Sequence, residues 1–543
     1  MYIQQSLSGQ SVRGAPETMK RMQRRTFLQS SLAAALAAQP ASRIACDVFV
    51  YGSTPGGIAA AVEAARRGAS VVLACPKTRP GGMAASGLST TDAVRPQLFG
   101  GFVVEFISKV RGLYLRLLGE NHPDFRLIKD GWLYEPVVAE EAFRYFLEIH
   151  QERLRWLPGH WINRANVTAR RITSVELEDS RGSQTVVLAG TFIDGTYEGD
   201  LAGAAKVPST VGREGREEYG ETFAGIHYMN WHTGQQIMTP DSGEPSLAIQ
   251  AFCARSIFTD DPAKKVPIEK PVTYDQHLED FLPLLDDFAS GRVKSWSPGT
   301  PLPRRKFQMN GSIEALTSIN CPGVSWSWPE AGRYHRERLE RFHVDHVAGL
   351  MYFLQNDPRV PDPIRRSLDP LGLHRDEFSD TGHWPWQVYV RQGRRIEGRA
   401  KVTQHNFTVD PKTGRTPRVA QAIAFGEHSF DIHPCHDRRY GVDGFMEGVL
   451  WYPKKAFGPA QPGQIPYGAM LARTLDNFLA PVPLSSTHIA MSVLRMEPVW
   501  MTTGQVAGLA AAVAIHQRTD VAHIDPVPLP GMLKIEVDPY ARL

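Results

Sequence analysis

Two periods of apolar and polar residues alternate along this chain, and each change of period marks an element. Val48-Phe49-Val50-Tyr51 is an unbroken apolar run with the β-branched and aromatic content of a buried strand. It stops at Gly52-Ser53-Thr54-Pro55-Gly56-Gly57, which turns the chain. Ile58 to Arg67 is Ala-rich and helical in composition, and Gly68 stands where a helix-ending glycine belongs. Ala69 to Ala74 is a second apolar run, so Asp47 to Cys75 predicts a βαβ unit. From Phe99 to Leu118, and again from Val137 to Ile149, apolar residues recur at helical spacing with basic residues between them, predicting two solvated amphipathic helices. Ala165 to Ile193 reads as hairpin material, with Arg171 to Leu177 and Thr185 to Ile193 flanking the turn-forming Asp179-Ser180-Arg181-Gly182. The second of these strands ends near Asp194 in an acidic, glycine-bearing turn, and an Ala-rich helix begins at about Leu201. Near the C-terminus Pro498 suits the first turn of a helix in which Gly504 and Gly508 keep one face bare, so that a flat ring or another backbone can approach.

A βαβ unit of this size is the setting a dinucleotide fingerprint requires. Its glycines let backbone approach a pyrophosphate, and its helix N-terminus presents unpaired N–H groups. In the pattern G-x-G-x-x-G, Gly52 and Gly57 hold the outer positions and Thr54 the middle one, where its hydroxyl could itself hydrogen-bond phosphate. Cys75 ends the second strand, where an Asp or Glu would receive the ribose hydroxyls. An ordinary βαβ turn with no nucleotide is the competing account of this stretch alone. Gly81-Gly82, directly before Met83, adds a second flexible, close-approach backbone, or is simply a loop.

Size and composition narrow the classes. A chain of 543 residues exceeds what one core supports, and a formal net charge of +3 makes no case for nucleic acid. Five scattered cysteines, at 46, 75, 253, 321 and 435, contain no C-x-x-C pair and argue against a disulfide framework and against a metal site. The first forty residues read as a targeting segment. Arg24-Arg25 stands before Phe27-Leu28, an apolar run follows from Ser31 to Ala38, and Ala35-Leu36-Ala37 resembles a signal-peptidase site. The run is too short for a stable membrane anchor. The expectation is therefore export to the periplasm or beyond by the twin-arginine machinery, which carries proteins already folded.

The turn Asp194-Gly195-Thr196-Tyr197-Glu198-Gly199-Asp200 completes a set of motifs that carries a resemblance. Together with the Gly52–Ala61 stretch and Gly81-Gly82-Met83, it resembles the bacterial FAD-dependent oxidoreductases of the glutathione-reductase-like, two-dinucleotide-binding class. Val388 to Gly398, Phe430 to His433, Ile465 to Ala490 and Arg495 to Gly508 extend the match, while about 225 to 385 matches loosely. The resemblance implies FAD as cofactor and an α/β fold. A Rossmann-type FAD-binding domain would be assembled from residues 44–205 and 415–520, with a helical insertion at about 95–160. An α+β substrate or cap domain would be inserted over 205–415, leaving 521–543 as a tail. The residues it assigns to FAD are Gly52, Thr54, Pro55, Gly56, Gly57, Cys75, Gly81, Gly82, Met83, Asp194, Gly199, Asp200 and Gly504.

Hydride transfer at the flavin needs a proton acceptor near the substrate and groups that orient it. His488 is the first candidate base, after Ser485-Ser486-Thr487, with Arg495 as a substrate anchor and His433 as the next base. The run Asp431, His433, Cys435, His436, Asp437 reads as a polar loop at the substrate mouth rather than a metal site, and Arg391, Arg394 and Arg395 as anion contacts or a solvated basic face. Trp231, Trp296, Trp326, Trp328, Trp384 and Trp386 suggest a polyol or sugar-like alcohol as substrate, or fill cores. The reading is an exported FAD-dependent oxidoreductase that passes a hydride between a small organic molecule and the flavin, with an electron acceptor the sequence does not identify. Two other classes compete: a flavin-containing non-redox lyase or isomerase, and a cofactor-free binding protein on a decayed Rossmann scaffold. For export, exchanging Arg24 and Arg25 for Lys keeps the charge and removes the planar guanidinium groups. The double mutant should stay in the cytoplasm on fractionation, and wild-type delivery would refute the assignment.

Overall fold

The computed structural model describes residues 41–230, 235–237, 243–311, 315, 317–436, 445–451 and 461–540. The targeting segment, Trp231 and Asp437 lie outside these residues. The central element is a sheet of β1 (Ser42–Tyr51), β2 (Val71–Cys75), β3 (Leu154–Pro158), β4 (His160–Thr168), β5 (Arg171–Asp179) and β6 (Gln184–Asp194). Their order is β3-β2-β1-β6-β5-β4, and β7 (Phe478–Leu479) pairs with β6 from the far end of the chain. β3, β2, β1 and β6 run parallel, whereas β4, β5 and β6 form an antiparallel meander. The apolar run of β1 is unbroken because the strand is central and Val48 to Tyr51 are buried on both faces.

α1 (Pro55–Arg66) crosses from β1 to β2 and is buried along almost its whole length. Its Ala-rich composition follows from what lies on it. α7 (Glu497–Gln517) packs along α1 with Gly504 over the backbone of Gly56 and Gly508 over that of Ala60, and a Cβ at either glycine would overlap the carbonyl oxygen beneath it. α7 is long and apolar enough to cross a membrane, and here it is a core helix. The two amphipathic stretches form α2 (Gly101–Leu118) and α3 (Pro136–Glu148), whose apolar stripes meet where Phe106 stacks on Phe143 at 4.5 Å.

Apart from the β7 stretch, residues between α4 (Asp200–Ala204) and α6 (His488–Leu494) build a second unit, with a small five-stranded sheet and the long α5 (Arg333–Asn356). A buried ion cluster joins it to the first. Lys306, in that sheet, lies 2.7 Å from Glu135 at the start of α3 and 2.6 Å from Glu377, and none of the three side chains is more than 1% exposed. Removing the lysine would leave the buried Glu377 carboxylate without its cation, a loss of about 3–5 kcal/mol, while Glu135 would keep Arg304 at 2.8 Å.

The α1–α7 contact leaves no room for a side chain. Gly504→Val should lower the unfolding free energy by about 1–3 kcal/mol or leave the protein insoluble, judged by chemical denaturation. A variant with wild-type stability would mean that the two helices do not meet at these glycines.

Candidate active site

The carboxyl ends of β1, β2 and β6 open onto a crevice of about 280 Å³. Tyr51 closes β1, Pro76 and Lys77 follow β2, and Glu198 and Asp200 follow β6; all line it, with Trp161 and Asn163 from β4. This edge of a parallel sheet is where open α/β folds hold nucleotides. Pro55 opens the first turn of α1, and the buried amide of Gly56 in that turn meets no acceptor among the described residues. Gly52 takes φ 108°, and a Cβ on it would lie 2.6 Å from Gly195. A buried unspent amide at a helix start, beside glycines that admit nothing larger, fits a pyrophosphate, and the crevice fits the adenosine end of a dinucleotide.

Several predicted contacts are spent on the fold instead. The hydroxyl of Thr54 donates to the carbonyl of Gly195 at 2.6 Å and accepts the Gly57 amide at 3.1 Å, capping α1 rather than facing a phosphate. The Cys75 thiol is 1% exposed, takes the Ser53 hydroxyl at 3.0 Å and donates to the Lys77 carbonyl, so it does not line the crevice. The carboxylates that do line it are Glu198, Asp200, Glu337 and Glu340. The Asp194 carboxylate accepts from Thr196 and from the Ala202 amide at the start of α4, and burial holds its pKa up at about 7. Gly199, with φ 71°, packs against Arg394, while Asp200 is paired with Arg336. Gly504 serves the α1 contact, not a ring.

Gly81 and Gly82 also lie close to side chains. A Cβ on Gly82 would overlap the Tyr197 hydroxyl, which accepts the Met83 amide at 3.0 Å and donates to Glu497 at 2.6 Å. Glu497 begins α7; burial raises its pKa to about 8, so it keeps its proton at neutral pH.

A second cavity, of about 350 Å³, lies between the second unit and the α6–α7 junction. Arg255, Tyr389, Asp431, His433 and Arg495 all line it. Arg495, the C-cap of α6, pairs with Asp431 at 2.6 Å and donates to the Tyr389 hydroxyl at 3.2 Å. His433 Nε2 is 3.7 Å from the same Asp431 carboxylate. Burial, then the Arg391 charge, hold His433 down at about 4, so its imidazole is neutral at ordinary pH. Residues 387–394 run between the cavities: Gln387 and Arg394 line the crevice, and Tyr389 lines the chamber.

Arg495 and His433 are thus brought together, and His488 is not with them. Its ring is 1% exposed, with Nδ1 3.2 Å from Glu214, which also pairs with Arg395 at 2.7 Å and accepts the His488 amide. Burial holds it down at about 4. It does not line the chamber. Asp431, read as mouth polarity, is an ion-pair partner, and Arg391 is buried against the Ala251 carbonyl rather than solvated. Trp326, Trp328, Trp384 and Trp386 are absent from the chamber lining, and Trp328 instead lines the crevice. Sequence reasoning missed Arg255, Tyr389, Tyr197 and Glu497, of which all but Arg255 stood inside matched segments.

A model of the family described as FAD dependent oxidoreductase matches residues 47–533. No curated protein matches the chain. Among solved structures, it is similar to Mycobacterium smegmatis Sdh1 in complex with UQ1, at 12% identity over 91% of this chain and 72% of that one, with a TM-score of 0.30. It is also similar to Thermovibrio ammonificans THI4, at 16% identity over 37% and 76% of the two chains (TM-score 0.22). L-proline dehydrogenase from P. horikoshii is matched at 12% identity over 34% of this chain and 27% of its own length (TM-score 0.19). The match to OxyS from Streptomyces rimosus likewise spans 38% of that chain.

Because Cys75 is enclosed, Cys75→Glu should not supply a ribose acceptor. Overpacking should cost about 1–3 kcal/mol of stability in equilibrium denaturation. A variant of wild-type stability that binds FAD more tightly in apo-protein titrations would place the strand end in the crevice after all.

Proposed function

Because the chain belongs to the FAD dependent oxidoreductase family, we propose that it oxidises a small hydroxylated organic molecule in the chamber beside the α6–α7 junction. The observation that carries this reading is one cavity lined by a neutral imidazole, His433, and an oriented cation, Arg495. Bound FAD supplies the hydride acceptor. His433 takes the hydroxyl proton as the carbon–hydrogen bond breaks and the carbonyl forms, while Asp431, near its Nε2, holds the ring. Arg495, fixed by Asp431 and Tyr389, orients a substrate oxygen. The crevice residues hold the adenosine end and the first turn of α1 the pyrophosphate. A polyol-like substrate fits the polar lining, though without tryptophan stacking. Export by way of Arg24 and Arg25, and an electron acceptor outside the chain, belong to the same reading.

Anaerobic mixing with candidate alcohols, followed by flavin bleaching, tests the reading. Denatured protein should release FAD. His433→Gln should keep its FAD and be reduced about 10²–10⁴-fold more slowly. His488→Gln should lose stability and be reduced near the wild-type rate. Since a histidine is a base only when neutral and His433 is held at about 4 in the free protein, the second-order rate of reduction at low substrate should persist as pH falls below 6.5 and fail near 4. Wild-type reduction by His433→Gln, or slow reduction by His488→Gln with full FAD, would move the base.

A further inference from the structure

We propose that the chamber takes its substrate by a carboxylate, with the guanidinium of Arg255 as the anchor. The inference rests on the chamber being the substrate site of the flavoenzyme. Arg255 is 5% exposed, lines the chamber, and packs its guanidinium 4.4 Å from the centre of the Tyr389 ring. Among the described residues no carboxylate lies within ion-pairing distance of it. Its polar surroundings are the Cys253 sulfur, the Tyr389 hydroxyl and, farther off, Asp92, and its Nε has no hydrogen-bond partner among the described residues.

Two further guanidinium groups surround the same ring, Arg391 at 4.8 Å and Arg495 at 5.9 Å. Arg391 is 1% exposed, donates to the Ala251 carbonyl and touches the Cys253 sulfur at 3.5 Å, and its Nε is also unpartnered. Only Arg495 is neutralised, by Asp431. Arginine does not escape burial by losing its proton, so an enclosed guanidinium without an anion is unfavourable. Of the two guanidinium groups that line the chamber, Arg495 has its ion pair in Asp431, whereas Arg255 feels the charge of Asp92 only from beyond ion-pairing distance. One carboxylate would give Arg255 the ion pair it lacks. The two oxygens of a carboxylate match the fork of a guanidinium. Asn310, Ser318 and Asn320 supply amide and hydroxyl groups on the same wall, suited to a hydroxylated body. The ligand class is therefore a small hydroxy carboxylate whose acid group meets Arg255.

The test is thermal unfolding of the holoenzyme with acetate, glycolate, lactate and gluconate as probes. D-glucitol is the uncharged match for gluconate, and inorganic phosphate is the competing oxyanion. A hydroxy carboxylate should stabilise the wild type saturably while glucitol does not. Arg255→Gln should weaken that carboxylate about tenfold or more, and Arg255→Lys by less. Without ligand, Arg255→Gln should unfold at the wild-type temperature or above, because it removes a buried charge that has no partner. Stabilisation by glucitol equal to gluconate, no response to any carboxylate, or phosphate binding tighter than all of them would overturn the proposal. So would wild-type binding by Arg255→Gln, or a failure of that variant to fold. FAD released from the same preparations separates the two readings. A colourless protein with Arg255-dependent carboxylate binding removes the flavoenzyme reading alone, and a yellow one without such binding removes this inference alone.

Discussion

The contact between α1 and α7 is the constraint from which the rest follows. Two helices that meet backbone to backbone must be bare where they cross, and Gly504 and Gly508 provide that against Gly56 and Ala60. The contact brings segments more than 440 residues apart in sequence into one layer on the central sheet, and β7 joins β6 by the same return of the chain. It also fixes the start of α7, and with it Glu497 and the preceding Arg495, so the nucleotide-binding edge and the chamber are located by one packing event. Such a non-local pairing is slow to form, because the long loop between the two helices must close first.

Buried charge separates scaffold from site. In the Lys306 cluster the cation touches two carboxylates, and Arg395 is matched by Glu214, with His488 completing that group. These networks fix geometry at little net gain in stability, since desolvation offsets most of the attraction. Around Tyr389 the matching fails: Arg255 and Arg391 are buried like Arg395, yet neither is ion-paired to a carboxylate among the described residues. Folding alone gives no reason to keep such a group in the chamber wall, as Arg255 is. A ligand that brings the missing charge does.

The legible part of the sequence was the part whose physics is local. The β1–α1–β2 unit, the hairpin of β5 and β6, and the stripes of α2 and α3 follow from periodicity and turn residues within a few positions of each other. Gly504 and Gly508 were legible as a bare face, but not as the seat of α1. Thr54 and Cys75 occupy fingerprint positions, and only the placement of Gly195, Ser53 and the Lys77 carbonyl shows that their hydroxyl and thiol are already engaged. His488 illustrates the limit most sharply. Its position in a matched segment marked it as a base, but its partner Glu214 lies 274 residues away and draws the ring into the core. Arg255 sits in an apolar run with no motif, and its meaning arises only when Tyr389, 134 residues on, turns toward it.

The chamber's charge and its base are not independent. Burial first, and then the Arg391 and Arg495 charges, keep a proton off His433. An anion placed at Arg255 would offset part of that positive field, so the imidazole would bind a proton more readily with substrate present than without. A base weak in the empty chamber and stronger in the filled one is charged only when there is a proton to receive. The cost of enclosing unpaired guanidinium groups, borne by the free protein, would then be recovered at the moment of binding, in both affinity and basicity.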